Sequence, residues 1–291
     1  MPELPEVETI RRDLAPLVTG RRIGRVTVAP ATAPLLLGGV DAATFAGQLV
    51  GRTITDAGRR GKYLLFALDD GMTWVVHLRM TGRLVWHEAA APNEPIERFE
   101  RARVELSGGH ELRWCDVRKF GTWLLTPDVT AYLAAKLGPE PIDPAFTVAQ
   151  FRRALAGRAA PVKSVLLDQR RVAGLGNIYV DEALYQAGVN PSQTAGGLGP
   201  AATQRLFVAA REVLERAIAN RGASFKDYVD GMGNQGTQHM FVQVFRRTGQ
   251  PCYACGTVIE RTVIGGRATH FCPRCQKLSK SRQPRHDSHR A

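Results

Sequence analysis

No run of about 18 consecutive apolar residues occurs in the 291-residue chain, so a membrane-spanning helix is not expected. An apolar signal core is also missing behind Met1: Glu3, Glu6 and Glu8 follow within the first turns, which argues against export and for a cytoplasmic protein. Cysteines are few, five in all, and without an export signal two disulfides are not expected. Acidic residues are in deficit, 27 Asp+Glu against 39 Lys+Arg, a net charge of +12. The segment Gly174-Leu175-Gly176-Asn177 lacks both a preceding strand and the third glycine of a dinucleotide loop, so no nucleotide cofactor is expected. No internal repeat is present.

The remainder is ordinary for a globular chain with a real core: 44% of residues are hydrophobic, and the length suffices for two domains with a small appendage. The positive charge is uneven. From Arg221 to Ala291 there are 12 basic and 4 acidic residues. A basic end of this kind points to a polyanion, nucleic acid first and an acidic membrane surface second. Four cysteines form two C-x-x-C pairs, Cys252/Cys255 and Cys272/Cys275, separated by sixteen residues. That spacing fits one tetrahedral zinc ion, and the surrounding "PCYACG" and "FCPRCQ" read as turns that can aim both pairs at one metal. Cys115 lies in an apolar run and reads as core.

Local patterning divides the chain. Glu3 to Val18 carries Leu4, Val7, Ile10, Leu14, Leu17 and Val18 at helical spacing, with Glu6, Arg12 and Asp13 expected off that stripe and Gly20 ending the helix. Arg21 to about Leu125 reads as β throughout, some seven strands forming a sandwich or barrel, with hairpins over Lys62–Leu68/Met72–Leu78 and Arg103–Leu106/Glu111–Cys115. Glu88–Glu100 reads as a surface loop. Three prolines in Gly138–Pro144 mark a linker over 137–147. Helices are predicted over Thr147–Leu155, Pro161–Leu167, Ile178–Gln186, Pro200–Asn220 and Ser224–Val229, then a flexible glycine-rich loop over Gly231–Thr237 and a strand over Phe241–Phe245. The expected domains are 1–136 (β-sandwich), 148–240 (helical), 241–276 (zinc module) and a disordered basic tail, 277–291.

Pro2 carries the chemistry if the initiator is removed, as its small second residue favours. Its nitrogen then becomes a secondary amine with an ordinary pKa near ~8, partly uncharged at neutral pH and able to form a Schiff base with a carbonyl carbon. The helix N-terminus favours the uncharged form, and Glu3 stands beside it as a proton donor and acceptor.

PELPEVE at the N-terminus, RRGKYLL at 59–65, HLRMTG at 77–82, DVRKFG at 116–121, GLGNIY at 174–179 and the cysteine pairs occur in one order. That order resembles the formamidopyrimidine-DNA glycosylase/endonuclease VIII family of bifunctional DNA repair enzymes, over nearly the whole chain to Gln276. The resemblance implies an α+β multidomain fold: an N-terminal β-sandwich with flanking helices, a helix–two-turns–helix domain and a zinc-finger β-hairpin. It implies a monomer, with the damaged duplex running between the two domains. It also implies roles. Pro2 is the nucleophile, Glu3 the proton shuttle and Glu6 a supporting acid, although Glu6 also complements the helix dipole. Lys62 and His77 hold phosphate beside the lesion. Met80, Arg118 and Phe120 fill the space left by an everted base, as such enzymes require. Lys163, Asn177 and Arg267 are further DNA contacts, Asn177 at a helix N-terminus. The Met80/Arg118/Phe120 set and Leu4 resemble the oxidised-purine branch, whereas GNQGTQHMFVQVF, which overlaps the end of the capping segment Ser224–Gln243, departs from the family's usual wording. Three rivals stand beside this reading: a preference for oxidised pyrimidines, a lesion-binding protein without catalysis, and a tautomerase-like enzyme using its proline amine on small molecules.

Overall fold

The computed structural model describes residues 1–88 and 99–278. Most of the loop expected at Glu88–Glu100, and all but the first two residues of the basic tail, lie outside the described residues. The chain divides into two compact units, Met1–Gly138 with Leu214–Phe241, and Pro139–Val213 with the segment from Val242 onward. Compactness thus follows the chain less linearly than the predicted boundaries: residues 214–241 pack with the N-terminal unit, and the zinc module packs with the helices.

In the first unit, α1 (Leu4–Val18) is followed by β1 (Ile23–Val28), α2 (Ala33–Leu36), α3 (Ala42–Leu49), β2 (Ile54–Arg60), β3 (Tyr63–Leu68), β4 (Thr73–His77), β5 (Gly82–His87), β6 (Glu100–Leu106), β7 (His110–Asp116), β8 (Thr122–Thr126) and α4 (Val129–Ala134). Two antiparallel four-stranded sheets result, ordered β1-β6-β7-β5 and β2-β3-β4-β8. Both expected hairpins are present, with Tyr63 opposite His77 and Arg103 opposite Arg113. In β3, β5 and β6 buried residues alternate with more exposed ones, as a sheet with one face on the core requires. The sheets meet through aromatics: Trp114 of one and Trp123 of the other lie 5.8 Å apart edge to face, with Trp74 and Phe45 beside them.

The stretch read as all β contains two helices. The apolar run around Leu35 is too short for periodicity to separate strand from helix, and Asp41 caps α3 by accepting the Thr44 amide at 2.9 Å. Asp128 caps α4 in the same way. Ser224–Val229 is not helical, and Phe241–Phe245 is not a strand. The amides of Gln243, Val244 and Phe245 donate instead to the buried Glu182 carboxylate at 2.7–2.9 Å, which satisfies them without a ladder partner.

The apolar stripe of α1 is buried as expected, but Glu6 does not lie on an exposed face: Glu3, Glu6 and Glu8 are 2%, 1% and 8% exposed. Glu8 is tied to Arg11, Arg12 and Arg59 at 2.8–3.1 Å. Burial works to raise its carboxyl, yet these hydrogen bonds outweigh burial and hold it at about 2 against an ordinary 4.5. The stabilisation this represents is fully present above pH 4.5 and is lost as pH falls from there towards 2. Glu8→Gln should therefore lower the thermal midpoint at pH 6 by several degrees and flatten its fall between pH 5 and 3 in a calorimetric series; an unchanged acid limb would contradict this account.

The second unit holds α5 (Val148–Leu155), α6 (Val162–Leu167), α7 (Asn177–Gln186), the first part of α8 (Pro200–Ala219) and the hairpin of β9 (Glu260–Ile264) and β10 (Arg267–Phe271). Phe146, Phe151 and Phe207 pack ring to ring within 6.2 Å at its centre.

Candidate active site

Glu3 is the N-cap of α1, and Glu6 closes a capping box by accepting the Glu3 amide at 2.8 Å. This reciprocal bond fixes the backbone immediately after Pro2, which is itself buried, while Met1 is 46% exposed. While Met1 is attached the proline nitrogen is an amide without nucleophilic character. The second carboxylate oxygen of Glu6 accepts the Ala223 amide at 2.8 Å. Glu6 thereby joins the N-terminal end of α1 to the root of the segment expected to cap a base.

Lys62 sits at the tip of the two-residue turn between β2 and β3, in which Arg60 pairs with Tyr63. Gly61 precedes it at φ +58°, where a Cβ would also lie 2.9 Å from Leu137. Arg59 locks that tip: its Nη1 donates to the Gly61 carbonyl at 2.9 Å while its Nε donates to Glu8. The helix that presents Pro2 and the turn that presents Lys62 are thus fastened by one arginine. His77, across the hairpin, is buried, and its Nδ1 accepts the Arg79 amide at 3.0 Å, which places the ring proton on Nε2. Burial first, then the charges of Arg79 and Lys62, lower its pKa to about 3. It is a neutral donor at working pH, not a cation.

Met80 lies in the turn that carries the chain from β4 to β5, and Arg118 and Phe120 lie in the return from β7 to β8, so both loops cross between the same two sheets. Phe120 is 50% exposed, and the Arg118 guanidinium stacks 4.6 Å from its ring centre. The buried Asp116 carboxylate accepts from Thr81 Oγ1 at 2.5 Å, from the Arg118 amide at 3.1 Å and from the Gly121 amide at 2.8 Å. The sequence reading assigned Asp116 no role; its position at the head of DVRKFG was the available signal.

Residues 221–237, where a helix over 224–229 and a glycine-rich loop over 231–237 are expected, form a turn tied by side-chain hydrogen bonds. Arg221 bridges Asp13 of α1 and the fully buried Asp230, and these two carboxylates raise its pKa above the usual arginine range. Asp230 also accepts the Met232 and Asn234 amides, and Ser224 Oγ donates to the Tyr228 carbonyl. Met240 and Phe241 beyond it are exposed.

In the second unit Asn177 opens α7, and its Nδ2 donates to the Ala268 carbonyl at 2.9 Å, beside the exposed Arg267 at the start of β10. Lys163 departs from its expected role as a DNA contact. It is fully buried, with its ammonium 2.6 Å from Asp181 and 3.0 Å from the same Ala268 carbonyl. A buried lysine needs such a partner, and here it holds the hairpin on α7, so it acts on Arg267 and Asn177 by fixing their frame.

The Sγ atoms of Cys252, Cys255, Cys272 and Cys275 lie within 4.8 Å of one another, with separations of 3.5–3.9 Å for three of the pairs. Zn–S bonds of about 2.3 Å in a tetrahedron put the sulfurs about 3.8 Å apart, so the four thiols fit one zinc ion. Tyr185 of α7 reaches Cys252 Sγ at 3.2 Å, a contact that sequence reasoning missed. Cys115 is buried core, as expected. Among the described residues no helix is long and apolar enough to cross a membrane.

Three family models match in sequence order: the formamidopyrimidine-DNA glycosylase N-terminal domain over residues 1–123, its H2TH domain over 137–230, and the zinc finger found in FPG and IleRS over 249–278. The formamidopyrimidine-DNA glycosylase of Symbiobacterium thermophilum is 48% identical over 281 residues, covering 96% of this chain and 90% of the relative. That of Moorella thermoacetica is 50% identical over 272 residues, covering 90% and 94%. The Lactococcus lactis enzyme solved with Fapy-dG DNA superposes with a TM-score of 0.85 at 36% identity, covering 94% of this chain and all of that one. A MutM structure in complex with carbocyclic 8-oxo-G DNA superposes at 0.86 and 36% identity, covering 95% and 100%. With the buried Pro2 just ahead of the capped α1, the two loops across the sheet rim and the four-thiol cluster arranged in this order, the chain belongs to the formamidopyrimidine-DNA glycosylase family.

Proposed function

We propose that the chain, once Met1 is removed, excises oxidised purines (8-oxoguanine and formamidopyrimidines) from duplex DNA and then cleaves the abasic strand. The supporting observation is the buried Pro2 at the cap of α1, next to the buried Glu3–Glu6 pair. The Pro2 nitrogen attacks C1′ of the damaged nucleotide, the base departs with the electrons of the glycosidic bond, and the N–H proton that Pro2 gives up neutralises the departing base. Glu3 protonates the ring oxygen as the sugar opens, leaving an iminium between Pro2 and C1′. The iminium draws electrons from C2′, so loss of a C2′ proton expels the 3′ phosphate. A second elimination expels the 5′ phosphate and leaves a one-nucleotide gap.

Lys62 and His77 would hold the phosphate beside the lesion, the lysine as a charge and the histidine as a neutral Nε2–H donor. Arg118 would face the orphaned base, with Phe120 and Met80 wedged beside it. Asn177, the amides at the start of α7 and Arg267 supply phosphate contacts that set affinity and register. The enzyme acts as a monomer, in the cytoplasm at the nucleoid. One zinc ion stabilises the hairpin that carries Arg267, leaving the chemistry to the N-terminal unit.

Side-by-side nicking of duplexes containing 8-oxoguanine, thymine glycol or no lesion tests the substrate class. Faster turnover of the oxidised purine, by at least about tenfold, is expected, a ratio within reach of a base pocket. The reverse order would establish the pyrimidine reading, which the departure in the capping segment keeps in view. Binding of both lesions without nicking would make the chain a lesion-binding protein.

A further inference from the structure

We propose that Asp116 is a positioning residue that sets the Met80 loop and the Arg118–Phe120 loop as one unit; this rests on the reading that those three side chains enter the duplex. Asp116 ends β7 and is 1% exposed. Its backbone is fixed from both sides, the amide donating to the Phe99 carbonyl at 3.0 Å and the carbonyl accepting from Arg101 Nε at 3.0 Å. Among the described residues no cationic side chain lies within ion-pair distance of its carboxylate. The oxygens are spent on the loops: Oδ1 on Thr81 Oγ1 and the Arg118 amide, Oδ2 on the Gly121 amide. Thr81 Oγ1 also accepts from the Arg118 amide at 3.1 Å, so the two loops share a closed triangle of hydrogen bonds.

Local geometry makes such a clamp necessary. Lys119, between the two side chains in question, has φ +59°, a left-handed conformation that a lysine adopts only when its surroundings impose it. At Gly121 a Cβ would fall 2.0 Å from the Trp114 ring, and at Gly82 it would fall 2.5 Å from the Leu78 carbonyl. Both loops therefore press bare backbone against the core while the carboxylate holds their outer arms. Side chains that fill one gap from two loops must arrive together, and ordering them before DNA binds removes that cost from the encounter.

The test compares Asp116→Asn, Thr81→Val and Thr81→Ser with Arg118→Ala and Phe120→Ala in the zinc-loaded chain. Substrates are 8-oxoguanine duplexes with cytosine or adenine opposite and a single-stranded abasic oligonucleotide. Asp116→Asn and Thr81→Val are expected to raise KM on the duplexes about tenfold and draw the cytosine/adenine ratio towards one. Borohydride trapping on the single strand, which has no orphaned base, should stay within about twofold, and Thr81→Ser should restore the duplex values. Should Asp116→Asn fail to fold, Thr81→Val carries the same readout. The proposal is overturned if Thr81→Val leaves KM and the opposite-base ratio unchanged while Arg118→Ala and Phe120→Ala alter them. It is equally overturned if single-strand trapping falls in step with duplex cleavage, since that marks general damage to the fold. If Arg118→Ala and Phe120→Ala are themselves silent, the insertion reading fails and this inference falls with it.

Discussion

A chain that retains Met1, or whose Pro2 nitrogen is acetylated, will give no borohydride-trapped adduct with an abasic duplex and no strand cleavage above background. The reason is electronic and positional: an amide nitrogen has no free electron pair to add to C1′, and the α-amine of a retained Met1 lies one residue away from the place that the trimmed proline nitrogen occupies. In the trimmed chain N-terminal sequencing of the adduct should be blocked at Pro2. The companion variant Glu3→Gln leaves the amine intact but removes the proton donor, so base excision should fall by about 10²–10⁴, the usual range for a lost general acid or base. Its adduct with a preformed abasic site should still form, because that substrate can open without help from Glu3. Robust cleavage by material shown by mass spectrometry to retain Met1 would end the mechanism.

Loss of zinc should have the second largest effect, and by a different route. Cys252 and Cys272 are buried with Val244 and Ile259 in a small core, so removing the ion leaves four thiols in contact and little apolar surface to hold the module. Structural zinc sites contribute about 10–16 kcal/mol to folding of their modules. Chelation, or Cys272→Ser, should therefore unfold the hairpin, displace Arg267 and weaken binding to a lesion duplex by on the order of a hundredfold or more at fixed salt, with a shallower salt dependence as a phosphate contact disappears. Metal analysis should return one zinc per active chain. A Cys272→Ser protein that binds duplex with undiminished affinity would show the module to be dispensable.

Motifs spread across the chain were legible because each is a local requirement. A proline second in the chain, two C-x-x-C pairs and the glycines around Met80 and Phe120 can be read without knowing what lies opposite. The α1 stripe and the β3–β4 and β6–β7 hairpins were legible for the same reason, since period and turn chemistry are properties of neighbouring residues. Errors fell where long-range partners override local preference. Residues 224–229 have helical spacing but are drawn into a turn by Asp230 and by the Ser224–Tyr228 hydrogen bond, and residues 241–245 have strand composition but give their amides to Glu182.

The sequence by itself determined the family, the four cysteines of the metal cluster and the two-part architecture, because these depend on residue identity and order. Only the tertiary structure decided what the charged residues do. Glu6 joins the helix cap to Ala223, Glu8 and Arg59 fasten the Lys62 turn, Lys163 is buried on Asp181, and Asp116 binds two loops. A carboxylate or ammonium reads the same on paper whether it faces water or a buried amide. Its role is set by desolvation and by the partner that compensates it, and those exist only once distant segments have met.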